Sequence, residues 1–113
     1  MTPAELLSQV HDAVLRSVHL DWAQGIARLE LALARPGSDV PRTATLLVDG
    51  VRRLHCPREE PWGWSTSVNG GRLLPAGGDY SRLELEMQSG DTLLVEGRTF
   101  AVAGVDAVSP GEG

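Results

Sequence analysis

Beyond residue 16 the apolar side chains of this chain fall on every second position, and a period of two leaves little room for anything but β-strands. In 17–22, Val18, Leu20 and Trp22 alternate with His19 and Asp21; after Ala23-Gln24-Gly25, Leu29, Leu31 and Leu33 alternate with Arg28, Glu30 and Ala32. Two such runs around a short glycine-containing turn predict an antiparallel hairpin. The segments 43–49 and 51–56 flank Asp49-Gly50, a favoured two-residue turn, and predict a second hairpin in which Leu54 and Cys56 share the inner face. Near the C-terminus Leu83, Leu85 and Met87 alternate with Glu84, Glu86 and Gln88. Ser89-Gly90-Asp91 then turns the chain into 92–95, and Glu96-Gly97 turns it into 98–105, where Phe100 and Val102 are the expected inward pair.

Only the first residues break this rhythm. Thr2, Pro3 and Glu5 have the spacing of a capping box with proline in the first turn, and Leu6, Leu7, Val10, Ala13 and Val14 follow at helical intervals. The pattern predicts a helix over 3–15, strands over 17–108 with a loop around Pro36, Gly37 and Pro41, and a disordered tail at 109–113. A single domain spanning 1–113 fits the length. The expected class is α+β. Either the N-terminal helix packs on a curved antiparallel sheet, a meander of six or seven strands, or the strands split into a small two-layer sandwich.

The segment 57–81, with five glycines and three of the seven prolines, is too long for a simple connection in such a domain. It reads as a long loop holding a brief strand near 65–69 and a mobile tip over 73–78. Trp62 and Trp64, two of the three tryptophans, lie in it around Gly63 and after Pro61. Tryptophan is enriched in binding hot spots. Arg58, Glu59, Glu60, Trp62, Trp64 and Ser65 are therefore the candidate binding residues, with folding back of one indole onto the core as the structural alternative.

No catalytic set can be assembled. His55 and Cys56 are adjacent on a predicted strand and so point to opposite faces; Cys56 reads as a small buried apolar group. The three histidines (His11, His19, His55) lack metal-ligand spacing, so no metal or other cofactor is expected. Glu84 and Glu86 share a strand face, a pattern open to glycosidic acid–base work but typical of a solvated surface. The glycine-rich stretches match no phosphate-binding motif.

All ten basic residues are arginine, and the formal net charge is −5, which argues against generic binding to nucleic acid or to an anionic membrane. No apolar run exceeds four residues, the chain begins without a secretory signal pattern, and a single cysteine permits no internal disulfide. A cytoplasmic location is expected.

The segments HDA (His11–Ala13), LDW (Leu20–Trp22), EPWGWS (Glu60–Ser65) and MQSGD (Met87–Asp91) together resemble the YxiG-like family of small bacterial proteins. Family members often carry proline after the PWG glycine, where this chain has Trp64. The resemblance implies an immunity or accessory role in a toxin system and supplies no catalytic residues. The leading expectation is thus a non-enzymatic protein-interaction module for a basic partner such as a toxin. A small-ligand-binding module using the Trp62/Trp64 loop, or a hydrolase without a recognisable motif, is the alternative. Homodimerisation through unpaired edge strands is open to any such meander.

Overall fold

The computed structural model describes residues 1–33, 42–60, 62–63 and 65–107. The predicted loop around Pro36, the tail at 109–113, and the residues Pro61 and Trp64 lie outside them.

The chain is mainly β. A short helix, α1 (Pro3–Leu7), precedes β1 (Val14–Asp21), β2 (Ile26–Leu33), β3 (Arg42–Asp49), β4 (Arg53–His55), β5 (Val68–Pro75), β6 (Ser81–Met87), β7 (Thr92–Gly97) and β8 (Thr99–Ala107). These strands form two four-stranded antiparallel sheets, in the orders β1-β2-β3-β8 and β4-β7-β6-β5. The inner faces share one core: Leu29, Leu31, Leu46 and Val48 from the first sheet meet Leu83, Leu85 and Val95 from the second. The two-layer arrangement therefore replaces the single curved sheet.

Two turn signals mark something other than a hairpin. At Asp49-Gly50 and at Glu96-Gly97 the chain passes from one sheet to the other. Consequently β3 pairs with β2 and β8, and β4 pairs with β7. The crossings lie side by side, with the Arg98 amide donating to the Asp49 carbonyl at 2.8 Å and the Arg52 amide to the Glu96 carbonyl at 3.0 Å. Gly97 has to be glycine here, because a Cβ would run into the Val48 side chain of the facing sheet. A turn sequence reports a change of direction; the pairing partner is decided by the non-local burial of the strand faces. The hairpins at Ala23-Gln24-Gly25 and Ser89-Gly90-Asp91 do form, joining β1 to β2 and β6 to β7.

The helix is much shorter than 3–15. Thr2 caps it as expected, accepting from the Glu5 amide at 3.1 Å. After Leu7 the chain turns, Asp12 takes a left-handed φ of 65°, and residues 12–15 pair with 66–68 through Asp12 N–H to Val68 carbonyl (2.8 Å) and Leu15 N–H to Thr66 carbonyl (2.9 Å). Leu6, Leu7, Val10 and Ala13 are all buried, but Val14, the last member of the expected stripe, is exposed, because β1 rather than a longer helix begins there. A β-bulge lies between Leu15 and Ser17 and adds Arg16, which keeps Leu15 and Val18 both against the core although they are three residues apart. An isolated short helix is marginal, so strand pairing wins at its end.

The 57–81 excursion also shrinks, because Val68–Pro75 becomes β5 and pairs with β6. Gly71 explains how. A Cβ there would stand 2.8 Å from Leu85 Cδ2 and 3.0 Å from Leu7 Cδ2, so the missing side chain lets α1 settle on β5. The helix packs against β5 and β8, one edge strand from each sheet. That flank is closed. The opposite edges, β1 and β4, border clefts instead.

Candidate functional site

Residues 56–58, 60 and 65–66 follow β4 in the chain, and between them and β1 lies a cleft of about 140 Å³. Leu15, Val18, Met87 and Leu93 supply its apolar walls; three of the six candidate residues, Arg58, Glu60 and Ser65, line it as well. Glu59 is exposed nearby, and Trp62 is 79% exposed. Trp64 lies outside the described residues. The Trp62 indole is therefore presented outward rather than folded back onto the core.

The loop that carries it is fixed by a residue the sequence reasoning passed over. Asp91, almost buried in the β6–β7 turn, accepts the Glu59 amide on Oδ1 and the Glu60 amide on Oδ2, both at 3.0 Å, and the Ser89 hydroxyl at 2.9 Å. Beside it the Trp62 amide donates to the Ser89 carbonyl at 3.0 Å, and the Gly63 amide to the Glu60 carbonyl at 3.1 Å. Glu60 takes a left-handed φ of 55°, which turns the chain back over the clamp. Burial pushes the Asp91 carboxyl upward, but the two amides, the Ser89 hydroxyl and the nearby Arg58 charge outweigh it and hold it below the usual aspartate range. The signal was available: an aspartate closing a Ser-Gly-Asp turn has its side chain free to accept amides from a neighbouring segment.

The remaining side chains at this site are held loosely. Arg58 Nη2 stands 3.9 Å from Glu60 Oε1 with both groups accessible, and Ser65 Oγ accepts the Ser67 amide at 3.1 Å. Cys56 corrects an expectation: it is exposed rather than a buried apolar group, although it also lines the cleft, where burial pushes its thiol up and makes it a weaker nucleophile.

Trp22 corrects another. Placed inward by its parity with Val18 and Leu20, it stands instead 89% exposed in the β1–β2 turn, because β1 ends at Asp21.

The chemistry-bearing residues elsewhere are spread apart. Among the described residues no hydrogen bond joins His19 or His55 to a serine, a cysteine or a carboxylate. His11 Nδ1 contacts the Asn69 carbonyl at 2.8 Å. Glu84 and Glu86 lie on the outer face of the second sheet, where Glu84 accepts from Arg72 Nε at 2.7 Å and Glu86 from Asn69 Nδ2 at 2.7 Å. Among the described residues no group of three His, Cys, Asp or Glu gathers at metal-binding distance, and no helix is long and apolar enough to cross a membrane. What the arrangement offers is recognition: a tryptophan on a fixed loop, a small apolar cleft and two exposed carboxylates. Comparison with known protein families, with characterised proteins and with solved structures gave no match.

Proposed function

We propose that this chain is a protein-binding module whose contact surface is centred on Trp62, with Glu59 and Glu60 at its rim and the neighbouring cleft taking one apolar side chain of the partner. The observation that carries the reading is the exposure of the Trp62 indole on a loop whose backbone is already fixed by Asp91. Leaving an indole in water is unfavourable, and burying it on a partner recovers that cost; a loop ordered beforehand loses little further entropy on docking. The partner is basic. Two exposed carboxylates and a net charge of −5 favour such an encounter and speed it. Together with the YxiG-like resemblance, this favours a cytoplasmic immunity or accessory role towards a basic toxin.

The small-ligand reading draws less support. Small-molecule sites usually enclose at least about 300 Å³, and the cleft beside this loop measures 140 Å³. A depression of about 330 Å³ over Arg28, Glu30 and Thr45 is on the outer face of the first sheet, away from the Trp62 loop.

Affinity purification from the native host with wild type and with Trp62→Ala tests the proposal. Wild type should recover a basic protein, and the variant at least about ten times less of it, the loss expected of a hot-spot tryptophan. An identical set of recovered proteins would reject the loop as the contact surface.

A further inference from the structure

We propose that the groove at the tip of the β1–β2 hairpin is a second binding surface, one that takes an acidic segment of a partner protein in which a carboxylate neighbours a large apolar side chain. It is distinct from the Trp62 surface and does not depend on it.

The groove measures about 280 Å³. Leu20, Val51 and Leu54 give it an apolar lining, Trp22 stands at its side, and Arg52 and Arg53 complete it. An indole 89% exposed beside aliphatic side chains is a place for a partner's apolar residue to dock.

The charge around it selects the rest of the ligand. Glu96, nearly buried on β7, holds two arginines and stands opposite a third in the strand register. Arg52 Nε donates to Oε1 at 3.0 Å, Arg82 Nη2 stands 2.8 Å from Oε2, and Arg53 lies directly across the β4–β7 pairing. One carboxylate is therefore shared by two guanidinium groups, with the backbone of Arg53 across from it. The next acid on that face, Glu84, is taken by Arg72 at 2.7 Å and is 4.0 Å from Arg82. Arg53 has no ion-pair partner among the described residues. Asp21, adjacent to Trp22, accepts the Gln24 amide of its own turn at 3.0 Å and does not line the groove. In a chain of net charge −5, the charged side chains that line this groove are both arginines, Arg52 and Arg53.

Arg52 is also prepared for such a ligand. Its guanidinium lies 3.8 Å from the centre of the Tyr80 ring, and Nη2 donates to the Ala76 carbonyl at 2.9 Å. With Nε on Glu96 the fork is already oriented, so a carboxylate that accepts its remaining donors need not pay to order it. At about 280 Å³ the groove falls just below the range of small-molecule sites, which suits a side chain and its neighbour on a partner segment better than a free ligand.

Selection of a phage-displayed random heptapeptide library on the purified full chain tests the proposal. The enriched sequences should place Asp or Glu within two residues of Leu, Phe or Trp. A synthetic peptide of that consensus should bind at least about tenfold more weakly to Trp22→Ala and to Arg53→Ser, and about tenfold more weakly when its acids become Asn or Gln. Its binding should also weaken several-fold between 50 and 500 mM salt, since the contact is partly ionic. Both substituted side chains are exposed, and unchanged thermal midpoints of the variants confirm that the fold is intact. Four results would overturn the proposal: no enrichment, enrichment without acidic residues, binding indifferent to both variants, or binding lost with Trp62→Ala but kept with Trp22→Ala.

Discussion

The two flanks of the sandwich are finished in opposite ways. On one, α1 lies across β5 and β8, Leu6 is fully buried, and Gly71 gives up its side chain so that Leu7 can approach. On the other, β1 and β4 border two clefts, and the chain places an exposed tryptophan beside each, Trp62 at one end and Trp22 at the other. A chain with five aromatic residues could have used both indoles as bulk to seal the second flank. It seals the first flank with aliphatic side chains from a single helical turn and leaves the Trp22 and Trp62 rings in water. The packed helix and the exposed indoles thereby lie at different edges, and each edge can be perturbed separately.

The sharpest way to break this contrast is on the closed flank. Leu6→Ala removes a fully buried side chain from beneath α1 and should cost about 2–5 kcal/mol in chemical denaturation. A loss below about 1 kcal/mol would mean that the helix is a surface decoration and that the closed flank does not hold the sheets together.

Next comes the clamp that fixes the open flank. The Asp91 carboxyl is held below its ordinary value of about 4, so its contribution to stability is complete above that value and is lost as pH falls through the lower, folded value. Glu96 acts with the same sign, chiefly through its hydrogen bond from Arg82, then against the opposing effect of burial, with Arg52 adding to the lowering. Denaturation midpoints of wild type should therefore fall below about pH 4. In Asp91→Asn the fall should be shallower, and the Glu59, Glu60 and Trp62 amides should exchange faster at neutral pH. Unchanged exchange at those three amides would show that the loop is ordered by something other than Asp91.

The same contrast marks what the sequence discloses. The closed flank is legible in part: of the residues picked out by spacing, Leu6, Leu7, Val10 and Ala13 are buried but Val14 is exposed, because spacing cannot show that Asp12 will turn left-handed and hand the chain over to pairing with 66–68. Alternation finds most of the strands. It misses β5, because Gly70 and Gly71 carry no side chain to alternate and the bulge between Val68 and Gly70 shifts the phase. The order of strands within the sheets is invisible at Asp49-Gly50 and Glu96-Gly97, where a turn sequence serves equally for a hairpin and for a crossing between layers. On the open flank, Trp62 is suggested by composition alone. Trp22 is misplaced because its parity continues past the last paired residue of β1, where burial no longer follows parity. Asp91 is overlooked because its partners, the amides of Glu59 and Glu60, are about thirty residues away in sequence.

Two small effects sharpen the contrast further. Thr2→Ala removes the cap of α1 and should cost about 1 kcal/mol, the usual worth of such a hydroxyl. Trp22→Ala, a far larger deletion of apolar surface, should change stability by no more than about 0.5 kcal/mol, because an indole already in water has nothing to lose on unfolding. The expected order is therefore inverted with respect to side-chain size: deleting two heavy atoms costs more than deleting an indole. Parallel urea denaturation of the two variants measures it directly. If Trp22→Ala proves the more costly, the ring is covering the apolar lining of its groove, the second flank is sealed after all, and the groove ceases to be a site for a partner.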